Sequence, residues 1–110
     1  MVNKVFTKMT DEAKLEALDI LQEECAELIQ IASKMIRFGE MNTNEGKLPT
    51  VRYRFMHEVG DVMAMISIVC AQYNITTPEL DIAMEQKFTK LRKYSNILEE
   101  DTLAKTSNVI

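Results

Sequence analysis

The carboxylates of this chain include two groups whose spacing could do chemistry. The first is Glu23-Glu24-Cys25-Ala26-Glu27 and the second is Glu58-Val59-Gly60-Asp61. Residues three and four apart meet one turn apart on a helix, so each group forms an acidic patch if its segment is helical. The second group opens into residues 62–71, a run without a charged side chain. Carboxylates bordering a buried helix are costly unless a cation compensates them. Hard divalent cations take oxygen ligands, and Mg²⁺ keeps several waters while sharing its remaining positions with substrate phosphates. Two carboxylates from each of two facing helices would supply the negative wall of such a site. A fifth could hold a second ion or deprotonate water. Without metal, five clustered carboxylates repel one another, and some of their pKa values should rise.

The elements that must position these groups read as helices. Thr10 fits an N-cap followed by Asp11 and Glu12 in a first turn, where the helix dipole favours negative charge. Helical periodicity runs from there to about Phe38, with a break near residues 18–21 as a variant that would give four helices instead of three. Gly39 fits the left-handed residue that ends such a helix. Residues 40–49 read as a polar loop. A second helix is expected over about 50–72, a turn over 73–76, and a third helix from Thr77-Pro78-Glu79 to roughly Leu98, with Pro at its first position. Residues 99–110 read as a polar, loosely held tail.

On the first helix Glu23, Glu24, Glu27, Gln30, Lys34 and Arg37 share one side, and Cys25, Leu28, Ile29, Ala32, Met35 and Ile36 fall opposite. That is the pattern of an amphipathic helix with a solvated charged face. Glu23 and Glu27 nevertheless stand at the i, i+4 spacing at which like charges destabilise a helix. On the second helix Arg54, Glu58 and Asp61 share a narrow stripe, and apolar residues cover nearly every other direction. An all-round apolar helix is normally the buried centre of a bundle. The plain alternative to a metal site is an Arg54–Glu58 ion pair with Asp61 in water. Gly60, a poor helix former, points to a close approach by another backbone or a ligand. His57 points elsewhere and reads as a partly exposed structural histidine.

Composition narrows the classes. The chain has 110 residues, a net charge of −4, 46% hydrophobic residues, and only 3 Gly and 2 Pro, which favours one helical domain over a turn-rich sheet. The negative charge argues against nucleic acid or an anionic membrane surface as partner. The uncharged run is too short to span a bilayer. Two cysteines, Cys25 and Cys70, form no disulfide framework or Zn spacing, and the first residues lack the apolar core of a signal peptide, so a reduced cytoplasmic protein is expected.

Taken together, Glu23-Glu24-x-x-Glu27-Leu-Ile, Ser33-Lys34-Met-Ile-Arg37-Phe38-Gly39 and Glu58-Val-Gly60-Asp61-Val resemble the signature of the all-α nucleoside triphosphate pyrophosphohydrolases. Small single-domain MazG-like members, many from phages, are the nearest in pattern. The resemblance covers about residues 21–94. Thirty residues separate Glu27 from Glu58, at or slightly beyond the long end of the family's spacing, and residues 40–49 absorb the excess. The resemblance implies that Glu24, Glu27, Glu58 and Asp61 ligate Mg²⁺, or Mn²⁺ in its place. It implies that Glu23 binds a further ion or helps to activate water. It implies hydrolysis of a nucleoside triphosphate, a deoxynucleotide foremost, to the monophosphate and pyrophosphate. Basic residues on the triphosphate are expected at Arg54, Lys34 and Lys87, the last beside the seam of Leu80, Met84, Phe88 and Leu91. Tyr94 and Phe38 read as packing aromatics that could also stack on a base.

The expected architecture is therefore all-α, a bundle of three to four helices per chain completed by oligomerisation. A homodimer or homotetramer would bury the second helix across a two-fold axis. The rivals are a non-catalytic helical interaction or regulatory bundle and a phosphoribosyl-ATP pyrophosphohydrolase.

Overall fold

The computed structural model describes residues 6–98, and the expected tail at 99–110 lies outside them. Three helices dominate: α1 (Asp11–Phe38), α2 (Val51–Gln72) and α3 (Thr77–Tyr94). Between α1 and α2 stands an antiparallel hairpin of β1 (Thr43–Asn44) and β2 (Lys47–Thr50). The chain divides into two compact units, Met1–Asn74 and Ile75–Ile110. No helix among the described residues is long and apolar enough to cross a membrane.

Each helix starts where a threonine can satisfy an orphan backbone donor. The Thr10 hydroxyl accepts from the Ala13 N–H at 3.1 Å, and the Thr50 hydroxyl accepts from the Tyr53 N–H at 3.1 Å. Thr76 and Glu79 form a reciprocal capping box, in which the Thr76 N–H donates to Glu79 at 2.7 Å and the Glu79 N–H donates to Thr76 at 3.3 Å. Pro78 therefore takes the second helical position, because Thr77 is the first residue of α3. α1 runs unbroken over 28 residues, so the break near residues 18–21 does not occur. α3 ends four residues earlier than expected, at Tyr94, where the Ser95 hydroxyl donates to the Leu91 carbonyl and competes with continuation of the helix. Gly39 has positive φ, as expected, but its φ of 86° and ψ of 158° place it in extended backbone open essentially to glycine alone, not in the left-handed helical region.

The hairpin corrects the reading of 40–49 as plain loop. Glu45 and Gly46 both have positive φ, as the two central residues of a tight hairpin turn require. The Val51 N–H donates to the Asn42 carbonyl at 2.8 Å and the Arg52 N–H to the Glu40 carbonyl at 2.7 Å, so the start of α2 is tied to the chain just beyond α1.

In the first unit α1 and α2 pack side by side. Pairing of Met9 with Gln72 at one end, and of Lys34 with Tyr53 and Arg54 around a groove near the other, makes them antiparallel. The seam contains the buried residues Ala17 and Ile31 of α1 and Val51, Val62 and Val69 of α2. Gln72 is also buried, and its amide works twice: Oε1 accepts from the Met9 N–H at 2.8 Å and Nε2 donates to the Thr7 carbonyl at 3.0 Å. The segment before α1 is thereby held to the end of α2.

Both long helices leave apolar residues open. α2 is not enclosed within the chain, since Tyr53, Met56 and Met63 are exposed. The apolar side of α1 is open too, with Ile29 at 70% and Ile36 at 87% exposure. Phe38 and Tyr94 are exposed instead of packed in a core, each beneath a neighbouring cation, Arg37 at 5.0 Å and Lys93 at 5.4 Å. A Cβ added at Gly60 would meet nothing within 4 Å, so among the described residues no other backbone makes the close approach that was one of the two expected there.

Candidate metal centre and its groove

The seam between α1 and α2 passes through the acidic groups. At about 100° per residue, Ala17, Glu24 and Ile31 fall within roughly 40° of one another on α1. On α2, Val51, Glu58, Val62 and Val69 fall within a similar arc. The residues flanking each glutamate in these arcs are buried. Glu24 and Glu58 are therefore set into the contact stripes of their helices and half-buried there, not displayed on solvated faces. Glu27, one turn from Glu24 on α1, is exposed and joins them. One carboxylate oxygen from each of Glu24, Glu27 and Glu58 lies within 4.8 Å of the other two.

The electrostatics follow from that placement. Glu24 is pushed above the ordinary carboxylate value, first by its shielding from solvent and then by the charges and contact of Glu27 and by the charges of Asp61 and Glu23. Glu58 is pushed up in the same way, by shielding first, then by contact with Glu27 and by the charges of Glu27, Asp61 and Glu24. Among the described residues no cation forms an ion pair with either of them. Glu24 Oε2 and Glu58 Oε2 are both closed to solvent without a hydrogen-bond partner. The expected alternative, an Arg54–Glu58 ion pair, is absent among the described residues. Arg54 Nε is itself shielded and unpartnered, and the ion pair that does form joins the exposed Arg52 and Glu40 at 3.5 Å.

The remaining acidic residues take lesser places. Asp61 is exposed and Glu58 is half-buried. Asp61 is close enough for its charge to raise both Glu24 and Glu58, but it lies outside the converging trio. Glu23 is exposed and acts on Glu24 through its charge.

Beside the trio lies a groove of about 540 Å³ lined by Glu27, Gln30, Ile31, Lys34, Tyr53, Arg54, His57 and Glu58. It brings Lys34 and Arg54 to the edge of the carboxylates, as the sequence spacing requires. Lys87 belongs to α3 in the other unit, where its side chain is exposed. Of two further lining residues, Tyr53 was not singled out by the sequence, and His57, read there as a structural histidine pointing elsewhere, faces the groove. Tyr53 and His57 stack at 4.5 Å between ring centroids, tilted by 55°. Their four-residue spacing, one position before the Arg54–Glu58 pair, was the available signal.

No known family, curated protein or solved structure matches this chain. Its chemistry must be argued from the groove.

The donor set is all oxygen, anionic and partly shielded, and no described cation forms an ion pair with it. These are the properties a hard divalent cation requires, and they suit Mg²⁺ or Mn²⁺ over Zn²⁺, which favours nitrogen and sulfur. Cys25 and Cys70 are free thiols outside the trio, and His57 faces the groove on the far side of Arg54 from the seam.

Proposed function

We infer that this chain is a Mg²⁺-dependent nucleoside triphosphate pyrophosphohydrolase of the MazG-like kind. One observation carries the reading: two glutamates set into a helix–helix seam, each with a shielded and unpartnered oxygen, converge with a third beside a groove that also presents Lys34 and Arg54. Carboxylates that serve only to solubilise a helix stand away from its packing stripe. These stand in it, at a cost that a bound cation would reverse.

Glu24, Glu27 and Glu58 would hold the ion, with Asp61 close enough to complete the set, and Mn²⁺ could take the place of Mg²⁺. When bound, the ion supplies charge stabilisation at phosphoryl oxygens and lowers the pKa of a coordinated water. The chain's residues do the rest. Arg54, whose Nε has no protein partner, offers a charge-assisted donor to the triphosphate. Lys34 adds a point charge at the same groove. Glu23, exposed on α1 beside Glu24, would accept a proton from attacking water. Lys87 remains a proposal for a further phosphate contact. Attack of water on the α-phosphorus gives the nucleoside monophosphate and pyrophosphate, with the water proton passing to a carboxylate.

We propose further that the chain assembles with copies of itself, and the open apolar surface supports this. Ile29 and Ile36 on α1 and Met56 and Met63 on α2 are the surfaces a homodimer or homotetramer would cover. A panel of ribo- and deoxyribonucleoside triphosphates with Mg²⁺, scored for pyrophosphate against orthophosphate, tests the activity. Pyrophosphate is the expected product. Orthophosphate would sink the reading in favour of a different hydrolysis, and no turnover of any nucleotide would sink it and leave a non-catalytic helical bundle.

A further inference from the structure

The aromatic pair on α2 has no role in holding a cation or phosphate. Tyr53 is 50% exposed and His57 is exposed as well, yet their rings stack on each other and both line the groove that holds Glu27, Glu58, Lys34 and Arg54. Aromatic area left open beside a charged groove is a stacking surface in want of a flat partner. The two rings are tilted by 55°, so one planar molecule cannot lie flat on both. The pair is a corner: a flat ring seated on Tyr53 turns its edge to the imidazole.

The helix sets where that corner stands relative to the charges. Tyr53 and His57 form one i, i+4 stripe, and Arg54 and Glu58 form the next, rotated by about 100° around the same two turns. A ligand seated on both stripes must be anionic at one end, to meet Arg54 and Lys34, and flat and aromatic at the other. Gln30, in the same groove, carries an amide that both donates and accepts, as recognition of a heterocycle's edge requires. The volume of about 540 Å³ falls within the range of sites that enclose a small organic ligand.

We propose that Tyr53 and His57 form the nucleobase-binding corner of this groove, with the base stacked on Tyr53 and its edge facing His57. This rests on the nucleotide reading given above and adds the residues that would hold the base. The pair is sequence-tolerant in character, since every base offers a π-face, and Gln30 is the residue placed to discriminate among them.

His57 is the only histidine of the chain, so its carbon-bound ring protons give NMR signals that need no assignment by mutation. The test titrates the full chain, in Mg²⁺, with each of the four common deoxynucleoside 5′-monophosphates and, separately, with deoxyribose 5-phosphate. The expected result is a saturable displacement of the His57 signals by at least one nucleotide and none by the sugar phosphate. Tyr53→Leu, which keeps apolar bulk and removes the aromatic face, should weaken that nucleotide's apparent affinity by roughly 5- to 150-fold. Should that variant not fold, Gln30→Ala in the same titration should change the order of affinity among the four bases. Equal displacement by deoxyribose 5-phosphate, or no displacement by any nucleotide, overturns the corner. Turnover of triphosphates without a His57 response removes the corner and keeps the hydrolase. A base-dependent response without turnover keeps the corner and removes the hydrolase.

Discussion

Glu24 and Glu58 behave oppositely to most surface carboxylates, and the sign of their effect can be worked out. Both have folded pKa values above the ordinary 4.5. Below 4.5 both the folded and unfolded chains hold these protons. As pH rises from there through the raised folded values, the unfolded chain ionises first, so stability is lost. In chelator, the melting temperature of the wild type should therefore fall relative to that of Glu58→Gln as pH climbs through this window, and a thermal series against pH checks it. Added Mg²⁺ should raise the wild-type melting temperature at neutral pH, because a ligand that binds only the folded state stabilises it. In Glu58→Gln that rise should vanish, together with a loss of turnover on the order of 10²-fold or more. Arg54→Met should leave the Mg²⁺-dependent rise in place and raise KM by about tenfold to a hundredfold, the loss of a charge-assisted hydrogen bond. Equal damage to both readouts would count against a separate phosphate-binding role. Sequence spacing grouped Glu24 with Glu27 and Glu58 with Asp61, and only the resemblance implied that the two groups share an ion. Spacing could not show that Glu24 and Glu58 sit inside the seam, because a helix wheel displays faces and not which face meets a neighbour. On α1 the more apolar side, with Ile29 and Ile36, is the open one.

At the scale of elements, the helix boundaries were legible because their chemistry is local. Thr10 and Thr76 cap, Gly39 stops α1, and Asn74, with φ of 58°, takes the left-handed conformation just after α2. The hairpin was hidden for an equally local reason. Its strands are two and four residues long, its turn is Glu45-Gly46 without the usual Asn-Gly signal, and Pro49 argues against a strand. Gly60 gives a test of the helix itself. No described residue meets an added Cβ there, so Gly60→Ala should stabilise α2 by about 0.5–1 kcal/mol, read by urea melts. If the same substitution lowers the oligomeric state while raising the stability of the chain, the space at Gly60 belongs to a second copy.

On the scale of the whole molecule, the chain leaves much apolar surface uncovered on its two long helices. Ile36 at 87% exposure and Ile29 at 70% lie one after the other along α1, seven residues apart, on the side away from the seam. Sedimentation should accordingly give a mass of at least twice the 12.6 kDa of one chain. Ile29→Lys combined with Ile36→Lys should shift it toward a single chain, and a wild type that sediments as one chain would refute the assembly. Sequence analysis reached this expectation from α2, whose apolar residues point in all directions. Structure places uncovered apolar area on α1 as well, where the sequence had read only an amphipathic helix with a solvated charged face.

The Gln72 clasp makes the molecule sensitive to a change of a single functional group. A primary amide is needed there, since one end accepts from the Met9 N–H and the other donates to the Thr7 carbonyl. Deamidation, the slow hydrolysis that ages glutamine side chains, keeps the size and shape and replaces the donor with a second acceptor. The new carboxylate oxygen would then face the Thr7 carbonyl, oxygen against oxygen, in a buried position. Gln72→Glu reproduces that aged form and should be destabilised by about 1–3 kcal/mol, with faster hydrogen exchange at the Met9 amide. The start of the first unit thus carries its own clock, set at the far end of α2.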